Sequence, residues 1–292
     1  MDQTLVGSET ENRPSRNAHG VTAELTFIVP SAEKPVFESA AYTGGAPRIF
    51  FATKQHAVLI RDMRRLATAP KLDREGFELR RHTSTVTDFH DDAALKNIYY
   101  PEVETLLRAA CGASRVVIFD TTRRSDDGAG APNRDGLRGP ARRVHADYTE
   151  KSGPQRVRDV LGAAEAGYLL SRGTRIVQIN VWRPIRGPVQ RSPLALADAA
   201  SVRVEDLIAT EQVFPGRIGE IYHLAYHPAE RWYYAPLMTV DEVLLIKGWD
   251  SLVDGRARFT PHGAFDLPGT AADAPARESV EVRALAVIER RK

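Results

Sequence analysis

Hydrophobic and polar positions alternate in short runs over most of this chain. The runs are rich in β-branched and aromatic residues, which marks half-buried strands. They predict strands at 48–52, 56–63, 115–120, 143–149, 175–182, 218–226, 231–238, 242–250, 256–262 and 279–289. The period lengthens to helical spacing in "DDAALKNIYY", in "PEVETLLRAACGA" and across 154–173. Pro101 suits the first position of the second of these helices and Gly112 its end, with Val103, Leu106, Leu107 and Ala110 on one face. Many short strands with Gly and Pro turns predict a mainly β chain with flanking helices (α+β), built as a sandwich or jelly roll.

Two stretches carry no period. Residues 1–20 are polar and are expected to be a disordered or partner-held tail. Residues 121–141, rich in Gly, Asp and Arg, are expected to be a mobile loop in a single domain spanning 21–292. A chain of 292 residues can bury roughly three quarters of the surface its unfolded form exposes. It therefore needs no disulfide or metal merely to fold. The single cysteine, Cys111, excludes an internal disulfide and a cysteine-based zinc site, and is read as a small buried residue at a helix end.

The formal charge is +2, without the basic footprint of a nucleic-acid binder. Arg outnumbers Lys 33 to 7, which a GC-rich coding sequence explains without a functional cause. There is no apolar run of membrane-spanning length and no signal-peptide pattern at the start, so a cytoplasmic location is expected. The expected partner is a small molecule, with neither nucleic acid nor membrane; a homodimer is compatible with the sequence.

The common phosphate-binding, nucleophile-elbow and zinc-protease motifs are missing. What remains is His145-Ala146-Asp147. Residues i and i+2 of a strand share a face, so this pair can offer an imidazole and a carboxylate to one metal ion. His262 is the leading third ligand, ahead of His227 and His223. Fifteen residues beyond it comes Arg277-Glu278-Ser279, entering the last strand. An H-x-D, a later His and an Arg-x-Ser form the pattern expected of a 2-oxoglutarate-dependent oxygenase. The planar Arg fork can hold the distal carboxylate of that co-substrate, with Ser279 adding a bond. Arg283, on the same strand face, is the rival anchor. In 175–182, Val177, Ile179 and Val181 form an apolar face suited to packing on a helix such as 154–173. Gln178, Asn180 and Trp182 form the opposite face, where Asn180 can contact 2-oxoglutarate or substrate.

The segments "IRDMR", "GFELRRHTSTVTDF", "YYPEVETLLRAACGASRVVIFD", "RRVHADYT", "INVWRPIRGPV", "RWYYAPLMTVDEVLLIKGWDS" and "RFTPHGAFDLP…PARESVEVRAL" resemble the CmcJ/AsaB-type hydroxylase/desaturases of secondary metabolism, which include gibberellin desaturases. The likeness runs from about residue 56 to 286. It implies a double-stranded β-helix (jelly roll, cupin-like) that uses Fe(II), 2-oxoglutarate and O2. By position, His145, Asp147 and His262 would bind iron and Arg277 would anchor 2-oxoglutarate. The implied reaction is hydroxylation, desaturation or oxidative ring closure at an unactivated C–H bond of a natural-product precursor. Tyr148, Trp182, Arg183, Tyr233 and Tyr234 adjoin the motifs as substrate contacts. A carboxylate partner for Arg183 would favour an amino-acid-derived substrate; a solvated Arg183 beside Pro184 is the plainer reading. Two other readings stay open: a metal-dependent cupin-like enzyme that does not use 2-oxoglutarate, and a non-catalytic partner of a biosynthetic enzyme.

Overall fold

The computed structural model describes residues 20–133 and 136–289. The strands are β1 (Gly20–Ile28), β2 (Val36–Glu38), β3 (Arg48–Phe50), β4 (Thr53–Asp62), β5 (Phe77–Arg81), β6 (Arg115–Ser125), β7 (Ala131–Asn133), β8 (Gly136–Arg138), β9 (His145–Ala146), β10 (Arg175–Pro184), β11 (Leu194–Ala197), β12 (Leu207–Phe214), β13 (Arg217–Leu224), β14 (Trp232–Tyr234), β15 (Glu242–Asp250), β16 (His262–Ala264) and β17 (Glu278–Ile288). The helices are α1 (Ala40–Thr43), α2 (Asp92–Ala94), α3 (Tyr100–Cys111), α4 (Ser152–Leu161) and α5 (Ala163–Ser171), with a π turn over Leu95–Tyr99.

One sheet runs β5-β15-β10-β17-β6 and the other β1-β4-β14-β11-β16-β9-β13-β12-β2-β3. Four strands of the first (β6, β17, β10, β15) face four of the second (β9, β16, β11, β14), and the chain winds between them. That is the jelly roll expected of a double-stranded β-helix. The two inner faces meet in an apolar cluster in which Trp182, Leu244 and Ile246 of one sheet pack on Leu194, Leu196, Tyr233 and Ala264 of the other.

Strand alternation decides what each face of the five-stranded sheet meets. Val177, Ile179, Val181, Val280, Val282 and Ala284 point outward onto Val103, Leu106 and Leu107 of α3. The apolar face of β10 thus packs on α3, not on the helical region 154–173. That region packs instead through Val157 and Ala166 on Ile176, Trp249 and Leu285. It is also two helices, because Gly162, at φ 84° and ψ 147°, breaks the run. Of the two ends predicted for α3, the C-terminal one holds: Gly112 lies at φ 70° and donates its N–H to the Arg108 carbonyl. The other does not, because α2, the π turn and α3 form one unbroken helical run in which Pro101 follows Tyr100 rather than opening a helix. Cys111 is half-buried rather than buried, with its thiol on the Leu107 carbonyl.

Other expectations change. Residues 256–261 are not a strand; a strand begins only at His262. The 143–149 strand shrinks to two residues. The expected loop 121–141 carries regular structure. Residues 121–125 continue β6, and β7 pairs with β8 in a hairpin. The Asn133 amide clamps both backbone groups of Arg123. Residues 1–19 of the expected tail lie outside the described residues, and Gly20 already belongs to β1.

A buried ion cluster ties the 71–76 turn to the sheet. Asp250, with no exposed side-chain surface, accepts from Lys247 at 2.9 Å and Arg175 at 2.6 Å; Lys247 also reaches Asp73 at 2.7 Å. Removing one partner leaves a cation without its counter-charge. Asp250→Asn should therefore cost about 3–5 kcal/mol in urea unfolding. Burial pushes the Asp73 carboxyl up, but hydrogen bonds from Arg175 and Lys247 outweigh it and hold it at about 2. A depressed carboxylate stabilises the fold above its unfolded pKa. Its contribution should disappear as pH falls from about 4 toward about 2, a loss that Asp73→Asn removes from the acid-unfolding curve.

Candidate active site

His145 and Asp147 lie at and just beyond β9; His262 opens β16. Register places His145 directly opposite His262. The two rings lie 4.7 Å apart, and the His145 Nε2 is 3.7 Å from an Asp147 oxygen. One donor atom from each of the three residues lies within 4.8 Å of the other two. His145 and Asp147 keep 14% and 11% of their side-chain surface exposed, so small ligands can reach them.

Backbone carbonyls settle which ring nitrogens are free. A carbonyl only accepts, so His145 Nδ1–H donates to Arg143 at 2.8 Å and His262 Nδ1–H to Thr260 at 2.9 Å. Both rings then offer a bare Nε2 lone pair to the cluster. Burial, with the neighbouring His262, holds His145 down at about 4. Burial alone would raise the Asp147 carboxyl, but Arg283, both histidines and the Asn180 amide hold it well below the carboxylate range. At neutral pH the site therefore presents a neutral imidazole at His145 and an ionised carboxylate at Asp147, the charge states a metal needs.

The two other histidines are elsewhere. His223 sits opposite His145 on β13, but its Nδ1 is hydrogen-bonded to Thr210 and its ring lies on Phe51. His227 accepts a bond from the Ala229 N–H. Neither joins the cluster found among the described residues.

The two candidate anchors, Arg277 just before β17 and Arg283 within it, have different surroundings. Arg277 is 2% exposed, and its guanidinium lies 5.8 Å from the Trp182 ring centre. One nitrogen donates to the Ser192 carbonyl at 2.8 Å, while Nε and Nη2 are buried and unpaired. Burial pulls its pKa down to about 9. Two free N–H donors of a planar guanidinium match the geometry of a carboxylate. Arg283 is already engaged, by Asp120 at 2.6 Å, Thr122 at 3.1 Å and Glu281, with Asp147 at 3.8 Å. Ser279 is buried beside Arg124 and Pro184 in register. The Arg277 backbone N–H is held by Asp126, which also pairs with Arg191.

Several expected contacts move. The Asn180 amide donates to Asp147, so it meets the candidate ligand itself. Arg183 is neither solvated nor in the cavity. It is 1% exposed on the α3 side, donating to Val240 at 2.7 Å and Tyr99 at 3.1 Å under the Phe89 and Tyr99 rings. Arg183 is thereby removed from the arginines near the motifs that favour an amino-acid-derived substrate. Tyr234 packs away from the interior, against Phe265. Tyr233 and Trp182 belong to the inter-sheet core. Tyr148 is buried near Arg283, its hydroxyl pushed up to about 12 by burial. Arg124, half-buried and lowered to about 10 by desolvation, and Glu281, buried, are inner-face charges that the sequence reading did not single out. The alternation of charged and apolar residues from 277 to 284 was the signal for Glu281.

A family model described as an oxidoreductase/YMDC permease-like domain matches residues 25–287. The hydroxylase/desaturase EfuI of Hormonema carpetanum is 33% identical over 286 residues, 91% of this chain and 94% of the relative. The chain belongs to this hydroxylase/desaturase family. The alpha-ketoglutarate-dependent dioxygenase TstK of Talaromyces stipitatus is 34% identical over 242 residues, 79% of this chain and 84% of that one. A solved structure of the iron and alpha-ketoglutarate-dependent endoperoxidase NvfI, known from Aspergillus novofumigatus, superposes with a TM-score of 0.82 at 27% identity, covering 94% of this chain and all of that one. The family member described here is an Fe(II)/2-oxoglutarate-dependent dioxygenase of secondary metabolism. No helix among the described residues is long and apolar enough to cross a membrane.

The depressed pKa of His145 makes a stability prediction. The unfolded chain takes up this proton near pH 6.5, the folded one only near 4. Stability of the metal-free protein should thus fall as pH drops from about 6.5 toward about 4. Urea unfolding at pH 7 and pH 5 should show this loss, and His145→Asn should reduce it.

Proposed function

We propose that His145, Asp147 and His262 hold the iron and that Arg277 receives the distal carboxylate of 2-oxoglutarate, for oxidation of an unactivated C–H bond in a small natural-product precursor. The observation that carries this reading is the convergence of two bare Nε2 atoms and one ionised carboxylate, with His145 and Asp147 partly exposed. The unpaired Nε and Nη2 of Arg277 supply the second half. Bound Fe(II) would supply the activation of O2, coupled to conversion of 2-oxoglutarate to succinate and CO2.

The chain's own residues orient and desolvate. Arg143 and Thr260 carbonyls keep both imidazoles in the tautomer that faces the pocket. Asp126 and Ser192 fix the Arg277 backbone and guanidinium, so the fork is rigid before a carboxylate arrives. Trp182 covers the guanidinium face and excludes water from it. Hydroxylation, desaturation and ring closure share this machinery, and the substrate pose selects among them. A cytoplasmic location fits a chain whose one thiol forms no disulfide.

Anaerobic addition of Fe(II) and then 2-oxoglutarate should produce a weak visible charge-transfer band that needs both, and His145→Ala should lose it together with iron binding. Metal binding without the band would overturn the 2-oxoglutarate half of the reading. Arg277→Ala should raise the 2-oxoglutarate KM about ten- to a hundredfold, since a hydrogen bond to a charged group contributes about 1.5–3 kcal/mol. An unchanged KM would move the anchor to Arg283.

A further inference from the structure

Behind Asp147 lies a chain of amides with only one workable direction. An ionised carboxylate only accepts, so Asn180 must turn its NH2 toward Asp147. Its carbonyl oxygen then faces Gln178, which must turn its own NH2 toward Asn180, at 2.5 Å. That leaves the Gln178 carbonyl oxygen pointing away, buried and without a hydrogen-bond partner. It rests against Gly248 of β15, the next strand of the sheet. A Cβ on Gly248 would lie 1.6 Å from that oxygen and 3.2 Å from the Tyr148 ring. Gly248 is thus a glycine for its missing side chain: the amide of Gln178 fills the place of its Cβ. Gln178 and Asn180 are 1% and 0% exposed, so a displaced amide has no solvent to turn into.

We propose that Gly248 and Gln178 are positioning residues of the metal site. Gly248 admits the Gln178 amide, Gln178 orients Asn180, and Asn180 holds the carboxylate of Asp147 in the rotamer that faces His145 and His262. This rests on reading Asp147 as a metal ligand. It assigns a task to two residues that touch neither metal nor co-substrate. Partners one step behind a metal ligand typically change metal affinity about 10–100-fold when lost.

The test is Co(II) binding to the full chain, followed by its visible absorption, with the thermal midpoint of each metal-free variant as the control for folding. Gly248→Ala should weaken Co(II) binding about ten- to a hundredfold and shift the cobalt absorption, while the metal-free midpoint stays within a few degrees. Gln178→Leu, which keeps the volume and removes the amide, should do the same. The double variant should be no weaker than the worse single, because both break one connection. Wild-type affinity and spectrum in Gly248→Ala, or in Gln178→Leu, would overturn the proposal; so would additive losses. If Gly248→Ala fails to fold, Gln178→Leu alone decides. Failure of the wild-type chain to bind Co(II) would instead overturn the metal reading of Asp147, and the positioning role with it.

Discussion

Three arginines and two carboxylates, Arg124, Arg277, Arg283, Asp147 and Glu281, are enclosed between the two sheets, where an uncompensated charge costs several kcal/mol. The interior is arranged around that constraint. Arg283 is satisfied by Glu281, Asp120 and Asp147 and is held fully charged, its pKa raised well above the usual value although burial opposes this. Arg277 is not satisfied in this way, and burial depresses it. The difference separates an arginine whose donors the protein's own carboxylates take up from one with two buried donors left unpaired, the feature on which its proposed anchor role rests.

The rest of the barrel gives these charges a rigid frame. Its other half is apolar, with Trp182, Tyr233, Leu244 and Ile246 packed together between the sheets. Outside, α3 covers the five-stranded sheet with Val103, Leu106 and Leu107. Strand alternation lets one strand serve both purposes: β17 sends Val280, Val282 and Ala284 outward and Ser279, Glu281 and Arg283 inward. A one-residue slip would exchange the two faces, burying charge against α3 and apolar groups beside the triad. Pairing on both sides of β17, to β10 and β6 along nearly its whole length, makes such a slip costly.

The triad shows how little of a site is side chain alone. His145 and His262 face each other because β9 and β16 pair there, and each presents Nε2 because a carbonyl two residues earlier takes the Nδ1 proton. Asp147 is held from three directions, by the imidazoles, Arg283 and the amide of Asn180. Just beyond β6, the Asp126 carboxylate accepts from the Arg277 N–H and pairs with Arg191.

The sequence by itself determined the local elements and the chemical identities at the site. Period-two alternation marked the main strands, Gly112 marked the end of α3, and H-x-D with His262 pointed to the residues that converge in the candidate cluster, because turn and strand geometry relate near neighbours without reference to anything distant. Tertiary structure alone decided which candidates meet. His223 shares a register position with His145 yet bonds Thr210, and Arg183 adjoins the motifs in sequence yet lies under α3. Arg283 lies on the same strand face that Arg277 enters, but its donors are taken by Asp120, Thr122 and Glu281, whereas two of the Arg277 donors are unpaired. Helical 154–173 reads as one run until Gly162 breaks it, and 121–141 reads as aperiodic until Asn133 clamps Arg123. In each case the outcome depends on a partner far away in the chain, and no local pattern of residues encodes where that partner will be.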